Sequence, residues 1–89
     1  MTFKEQISEI EKILKSVSKR EIKNSRTLAR GIYARLKQGI SFRYLPVFAG
    51  QNYSWSNFRY WFQKLQKLGK IEEIRKIVEV KTDENFTIE

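Results

Sequence analysis

The chain of 89 residues contains no cysteine and no histidine. Without cysteine it cannot form disulfides or thiolate metal sites, and we expect an intracellular compartment. Without histidine it lacks the most frequent general base and metal ligand, which excludes every catalytic triad that needs an imidazole.

Acidic residues are missing from the centre of the chain. The formal net charge is +8, yet no carboxylate occurs between Glu21 and Glu72. A basic middle with an acidic tail indicates a polyanionic partner. Asp83 is the single aspartate, whereas two-metal phosphoryl transfer needs several converging carboxylates. The isolated glycines form no GxxxxGK[ST] phosphate loop. We therefore expect no enzyme, no cofactor and no bound metal.

Long apolar runs are also missing. The N-terminus alternates charged with aliphatic residues, unlike a signal peptide. The longest uncharged run, 44–58, contains Pro46 and Gly50 and is too short and too polar to span a bilayer. We expect a cytoplasmic protein that makes no membrane contact, folded as a single domain over residues 1–89.

Apolar periodicity predicts a mainly α fold. A stripe at spacings of three and four runs from Phe3 to Val17 and indicates an amphipathic helix. Asn24 or Ser25 is expected to cap the second helix, and Gly39 to end it in the left-handed conformation. The four helices are predicted at about 3–17, 25–38, 41–48 and 55–68.

The pattern beyond Gly69 is mixed. Isoleucines three residues apart, as in a helix, run from Ile71 to Ile77, whereas the apolar residues of 77–88 alternate around "KTDEN", as in a hairpin. We favour a C-terminal β-hairpin wing at 77–88.

The helix at 55–68 has two faces on a wheel of 100° per residue. Trp55, Phe58, Phe62 and Leu65 cluster on one side and are predicted to be core. Trp61 lies between the faces, either packed under the first helix or exposed for a partner. Tyr44 and Tyr53, which flank the preceding turn, are compatible with either environment. The opposite face is polar and free of carboxylates, and it comprises Ser56, Asn57, Tyr60, Gln63, Lys64 and Lys67.

Two longer segments carry a family resemblance. "RTLARGIYARLKQG" (26–39) followed by "FRYLP" (42–46), with Trp55, Phe62 and Gly69 at matching spacing, resembles the opening domain of small bacterial insertion-sequence transposases of the DDE type. The resemblance covers roughly residues 3–75 and implies a helix-turn-helix domain without its catalytic transposase domain. "NFRYWFQKLQKLGKI" (57–71) also resembles the recognition helix of winged-helix regulators.

A helix-turn-helix presents the N-terminal part of its second helix to base edges in the major groove. Amides pair with adenine, and lysine reaches guanine or a phosphate. The predicted base-reading residues are Ser56, Asn57, Tyr60 and Gln63. Phosphate contacts fix the register on the duplex, and the cations predicted to make them are Arg26, Arg30, Arg35, Arg43, Arg59, Lys64, Lys67 and Lys70.

The leading hypothesis is a non-catalytic, transposase-like protein that binds double-stranded DNA, associates with the nucleoid and belongs to a mobile element or a transcription regulator. The alternative is a protein-interaction module or small inhibitor that uses the N-terminal helix or the aromatic surface, including a homodimer through the 3–17 stripe. RNA binding ranks lower, because the chain has neither an RNA-recognition-motif signature nor a GxxG loop.

Overall fold

A computed structural model of the protein describes residues 1–80. Over this range the chain is helical and contains no strand. Helices predicted at 3–17, 25–38 and 55–68 are confirmed to within a residue, whereas the helix predicted at 41–48 divides into a 3₁₀ turn, Phe42–Tyr44, and a short α-helix. The α-helices are α1 (Phe3–Val17), α2 (Ser25–Gln38), α3 (Leu45–Ala49), α4 (Trp55–Lys67) and α5 (Ile71–Glu79).

Helix α5 was not among the predicted helices. The prediction that a hairpin begins at residue 77 is wrong for its first residues, because 77–79 are helical. Ile71, Ile74 and Val78 are all buried, and a spacing of three and four places them on one side of a helix. Residues 81–88 of the predicted hairpin lie outside the described part of the chain.

The helix ends show which predicted caps form. Thr2 and Glu5 make a capping box at α1: the Glu5 N–H donates to Thr2 Oγ1 (3.2 Å), and the Thr2 N–H donates to Glu5 Oε1 (2.8 Å). Gly39 ends α2 with φ 66°, as predicted. Asn24 precedes α2 in the left-handed conformation without accepting a capping hydrogen bond. The predicted side-chain cap at Asn24 or Ser25 is wrong, because the Ser25 hydroxyl instead donates to Glu11 Oε2 (2.6 Å).

The core lies between all five α-helices, and α3 contributes Leu45 and Ala49 to it. Helix α1 packs against α2 and α5, while α4 packs against the 3₁₀ turn, α2, α3 and α5. Ile7, Ile10 and Leu14 of the N-terminal stripe are buried in this core. The middle of the stripe suggested as a dimer surface is therefore covered by the chain's own helices, whereas Phe3 and Val17 at its ends are partly exposed.

Gln6 joins the start of α1 to the end of α5. Its side chain is fully buried, and Nε2 donates to the carbonyl oxygens of Ile77 and Val80, both at 2.9 Å. The Val80 N–H also donates to the Ile77 carbonyl oxygen at 3.2 Å. Gln6 therefore adds a second donor at Ile77 and supplies one to the Val80 carbonyl just beyond the last turn of α5, where carbonyls lack intrahelical donors. Among residues 1–80 the Oε1 atom of Gln6 has no partner.

Helix α4 lies close to α2 because residue 31 is a glycine. A Cβ atom at Gly31 would lie 2.2 Å from Cε1 of Phe58. Phe58 is fully buried, so its ring has no free space to move into. The ring of Phe58 and the bare backbone of Gly31 together fix the position of α4 on the bundle.

Over the part of the chain that the structure describes, no helix combines the length and the apolar character needed to cross a bilayer.

Candidate nucleic-acid interface

The turn between α3 and α4 sets the direction in which α4 leaves the bundle. Gly50 ends α3 with φ 125°, a conformation that residues with side chains rarely adopt. Ser54 then begins α4: its carbonyl accepts from the Asn57 N–H at 3.1 Å, and its hydroxyl accepts from the same group at 3.4 Å. The first turn of α4 is thus anchored at its N-terminus.

One face of α4 is polar and open to solvent. All four predicted base-reading residues are exposed, and Tyr60 has 59% of its side chain accessible. Tyr60, Gln63, Lys64 and Lys67 line a shallow depression of about 230 Å³. The structure therefore brings the predicted hydrogen-bonding groups and two predicted phosphate-binding cations onto the same helix face, and α4 itself contains no carboxylate.

The three cations of α4 have different surroundings. Arg59 and Lys67 are exposed, and within residues 1–80 neither has an ion-pair partner. Lys64 is half-buried, and its Nζ lies 4.8 Å from the centre of the Trp61 ring. The ring attracts the ammonium group electrostatically, so Lys64 is the cation of α4 with a partner inside the described part of the chain.

Two predicted phosphate-binding residues form ion pairs within the chain. Arg26 Nε lies 3.5 Å from Glu11 Oε1, and Lys70 Nζ lies 3.1 Å from Glu73 Oε2. The Lys70–Glu73 pair is open to solvent, and such pairs contribute little to stability, typically ~0–1 kcal/mol. In the other pair the Glu11 side chain is only 14% accessible, whereas that of Arg26 is 50% accessible and can still meet another anion.

Arg35 is engaged differently. Its Nη1 donates to the carbonyl oxygen of Ile40 (3.1 Å), and its guanidinium carbon lies 4.5 Å from the centre of the Phe42 ring. These contacts hold the end of α2 against the 3₁₀ turn. Arg35 therefore has a clear structural role, whereas Arg30 on the same helix is exposed.

Trp55 departs from the prediction. It was predicted to be core, but 40% of it is exposed, and the Arg43 guanidinium lies 5.6 Å from its ring centre. Trp55 is the first residue of α4 and therefore lies at one end of the helix axis, beyond the core. Phe58 and Leu65 are buried and Phe62 packs against the core, so the rest of the predicted core face is confirmed.

The structure shows which of the remaining aromatic residues are buried, a question that the sequence did not decide. Trp61 is partly buried and packs against the core. Tyr44 is exposed, whereas Tyr53 is half-buried and its hydroxyl donates to the carbonyl oxygen of Lys23. Burial raises the pKa of Tyr53 and of Tyr33 above the ordinary value for tyrosine.

Sequence reasoning missed two features that position this face. One is the contact of Gly31 with Phe58, and the other is the support that Trp55 gives to Arg43. Neither has a sequence signal, because each depends on the distance between two helices. In the described range, no group of three His, Cys, Asp or Glu side chains could hold a metal ion.

Comparisons of the chain with protein-family models, with curated proteins and with solved structures found no match.

Proposed function

We propose that the protein binds double-stranded DNA through α4, as a non-catalytic helix-turn-helix domain in which α3 is the first helix and α4 the second. One observation carries the proposal. The exposed face of α4 combines serine, amide and phenol groups with cations and no carboxylate, so it offers many donors to a polyanion.

The order of groups along α4 supports major-groove reading. Ser56 and Asn57 lie in the first turn of the helix, which a helix-turn-helix presents to base edges. Tyr60 and Gln63 follow on the same face, and Lys67 lies one turn further towards the phosphates. An asparagine or glutamine side chain matches the N6 and N7 edge of adenine, so we expect a preference that includes adenine.

Supporting cations come from neighbouring elements. Arg43, held over the Trp55 ring, lies next to the N-terminus of α4. Arg59 is exposed on α4 itself. Such contacts fix register without reading sequence. The transposase-like ancestry and the nucleoid association stay predictions that rest on the resemblance quoted above.

An electrophoretic mobility shift with random duplex, followed over a range of salt concentrations, tests the proposal. Binding through five to eight phosphate contacts, an order-of-magnitude figure, makes affinity fall steeply with salt. Lys67→Ala should reduce the slope of log affinity against log salt by about 1. The matched control is Lys76→Ala, which removes an exposed lysine from α5 and should leave the slope unchanged. Absence of binding at low salt excludes the proposed function.

A second candidate is a protein-interaction module that uses the aromatic surface. The 3₁₀ turn and α3 expose three large apolar side chains, Tyr44, Val47 and Phe48, and Val47 is 71% accessible. Adjacent exposed apolar side chains of this size are typical of interaction surfaces. Sedimentation velocity over a range of concentrations tests self-association through them, since Val47→Ser should abolish any dimer while leaving DNA binding intact.

A further inference from the structure

A groove separates the connection between α1 and α2 from the C-terminal half of α4. Its volume is about 580 Å³. The floor is apolar and is formed by Val17, Ile22, Trp61 and Leu68. The first three pack partly against the core, but Leu68 does not and is 51% exposed. The groove thus offers apolar surface that the fold does not use.

The rim of the groove is cationic. Lys19, Arg20 and Lys23 lie on the connection, Lys64 lies on α4 across from them, and Glu21 is the one acid that lines the groove. Lys64 also has its ammonium group over the Trp61 ring. Three of the four cations are exposed, so they are free to meet carboxylates above the apolar floor.

The connection that forms one wall is held in a defined shape. The Ser18 hydroxyl donates to the Arg20 carbonyl oxygen (2.7 Å) and accepts from the Arg20 N–H (3.3 Å). The Tyr53 hydroxyl donates to the Lys23 carbonyl oxygen, which ties this wall to the turn before α4. A wall already ordered in the free protein reduces the entropy lost on binding.

We propose that this groove binds an acidic peptide segment of a protein partner, with a large apolar side chain seated on Leu68 and Trp61 and with carboxylates facing the cationic rim. Charge complementarity selects an acidic partner. The apolar floor favours a peptide over nucleic acid, because a phosphate placed there is desolvated without a donor. The groove would bind the peptide even if α4 does not bind DNA at all.

The test uses a short synthetic peptide in which Asp and Glu alternate with Leu and Phe, acetylated and amidated. The chain has two tryptophans, so Trp55→Phe leaves Trp61 as the sole tryptophan, whose emission is excited selectively over that of the tyrosines. The peptide should change the intensity and wavelength of Trp61 emission in a saturable way. In Trp61→Phe the remaining Trp55, which does not line the groove, should show no change.

Substitutions in the groove should weaken binding, whereas matched ones elsewhere should not. In the Trp55→Phe protein, Leu68→Ser should lower the affinity by roughly three- to tenfold, since about half of Leu68 remains to be covered by the peptide. Its control is Val47→Ser, an exposed apolar residue on α3. Lys19→Glu with Lys23→Glu should have a similar effect, and Lys37→Glu with Lys76→Glu should change the affinity by less than about twofold.

Three results would overturn the proposal. The first is no change in Trp61 emission at low salt. The second is equal binding of a control peptide in which lysine replaces every acid, or serine replaces Leu and Phe. The third is an unaltered affinity in Leu68→Ser while short duplex DNA displaces the peptide, because the groove would then be an extension of a nucleic-acid surface. Circular dichroism of each variant confirms that the helices are intact.

Discussion

The absence of a side chain at residue 31 decides how closely α4 approaches α2. Gly31→Ala would place a methyl carbon 2.2 Å from a ring atom of the fully buried Phe58. In an exposed helix the same change stabilises by up to ~1 kcal/mol. Here overpacking dominates, and we expect a loss of about 1–3 kcal/mol in the free energy of unfolding, measured by urea denaturation.

A double-mutant cycle isolates this contact. Phe58→Leu alone leaves a cavity, but combined with Gly31→Ala it makes room for the methyl group, so the pair should lose less stability than the sum of the single variants. If Gly31→Ala is as stable as the parent, the close approach of the two helices is not what holds α4 in place.

Tyr53 gives a pH-dependent contribution to stability. Burial raises its pKa above the unfolded value near 10.0, so the folded state keeps the phenol proton to higher pH than the unfolded state does. The contribution is present in full below about pH 10 and is lost as pH rises through the folded pKa. Deprotonation also removes the donor to the Lys23 carbonyl.

Urea denaturation across the alkaline range checks this expectation. Because lysines titrate in the same range, the informative quantity is the difference between the parent and Tyr53→Phe. That difference should shrink as pH rises above 10. A difference that stays constant means that the Tyr53 proton contributes nothing to folding.

For single residues of α4, the sequence predicted well which side of the helix each one faces, but not how far along the helix axis it lies from the core. Phe58 and Leu65 are buried as the helical wheel predicts, because they lie in the middle turns of α4. Trp55 has a similar angular position but lies at the end of the helix and is 40% exposed. A helical wheel is a projection down the helix axis, so it does not show how far along that axis a residue lies from the core.

Among the helices, α5 is the one whose secondary structure is decided by tertiary contacts, because its sequence carries both a helical and a strand-like periodicity. The three-residue spacing of isoleucines fits a helix, whereas the alternation further on fits a hairpin, and the sequence contains both patterns. The helix forms because α1 and α2 offer a surface for Ile71, Ile74 and Val78 at once. Sequence alone does not contain that surface, so the helices with a single clear period were predicted and this one was not.

Gln6 is expected to hold the last turn of α5. Gln6→Met keeps the length of the side chain but removes two hydrogen bonds, leaving the Ile77 and Val80 carbonyls without a side-chain donor. We expect a loss of about 1–2 kcal/mol in the free energy of unfolding and faster amide exchange in α5, followed by hydrogen–deuterium exchange mass spectrometry.

The control for this prediction is Gln38→Met, which changes an exposed glutamine at the end of α2. It should leave stability and α5 exchange unaltered. Equal exchange rates in Gln6→Met and the parent would show that packing, without the buried amide, is sufficient to hold α5.

Across the whole molecule, opposite charges occupy different elements. The described acids lie on α1, on the connection after it and on α5, whereas α2, the 3₁₀ turn and α4 carry cations alone and α3 carries no charged residue. This separation keeps carboxylates off the α4 face, and it is the feature of the molecule that composition along the chain predicted most directly. The fold adds that two cationic surfaces, the α4 face and the groove, share Lys64.

Because Lys64 belongs to both surfaces, each proposed ligand should weaken the binding of the other. A bound acidic peptide occupies the Lys64 ammonium and places carboxylates beside Tyr60, Gln63 and Lys67, where a phosphate backbone would be repelled. Coupling free energies of ~1–3 kcal/mol between two sites correspond to about 5–150-fold in affinity. We expect a saturating concentration of the acidic peptide to weaken duplex binding within that range, measured by fluorescence anisotropy of a labelled duplex at fixed salt.

By linkage, a saturating concentration of duplex should lower the affinity for the peptide by the same factor. In Leu68→Ser, which keeps every charge, duplex affinity alone should match the parent, while more peptide should be needed to produce the same weakening of duplex binding. If peptide and duplex each bind but neither alters the affinity of the other, Lys64 does not link the two surfaces and the groove is independent of the α4 face.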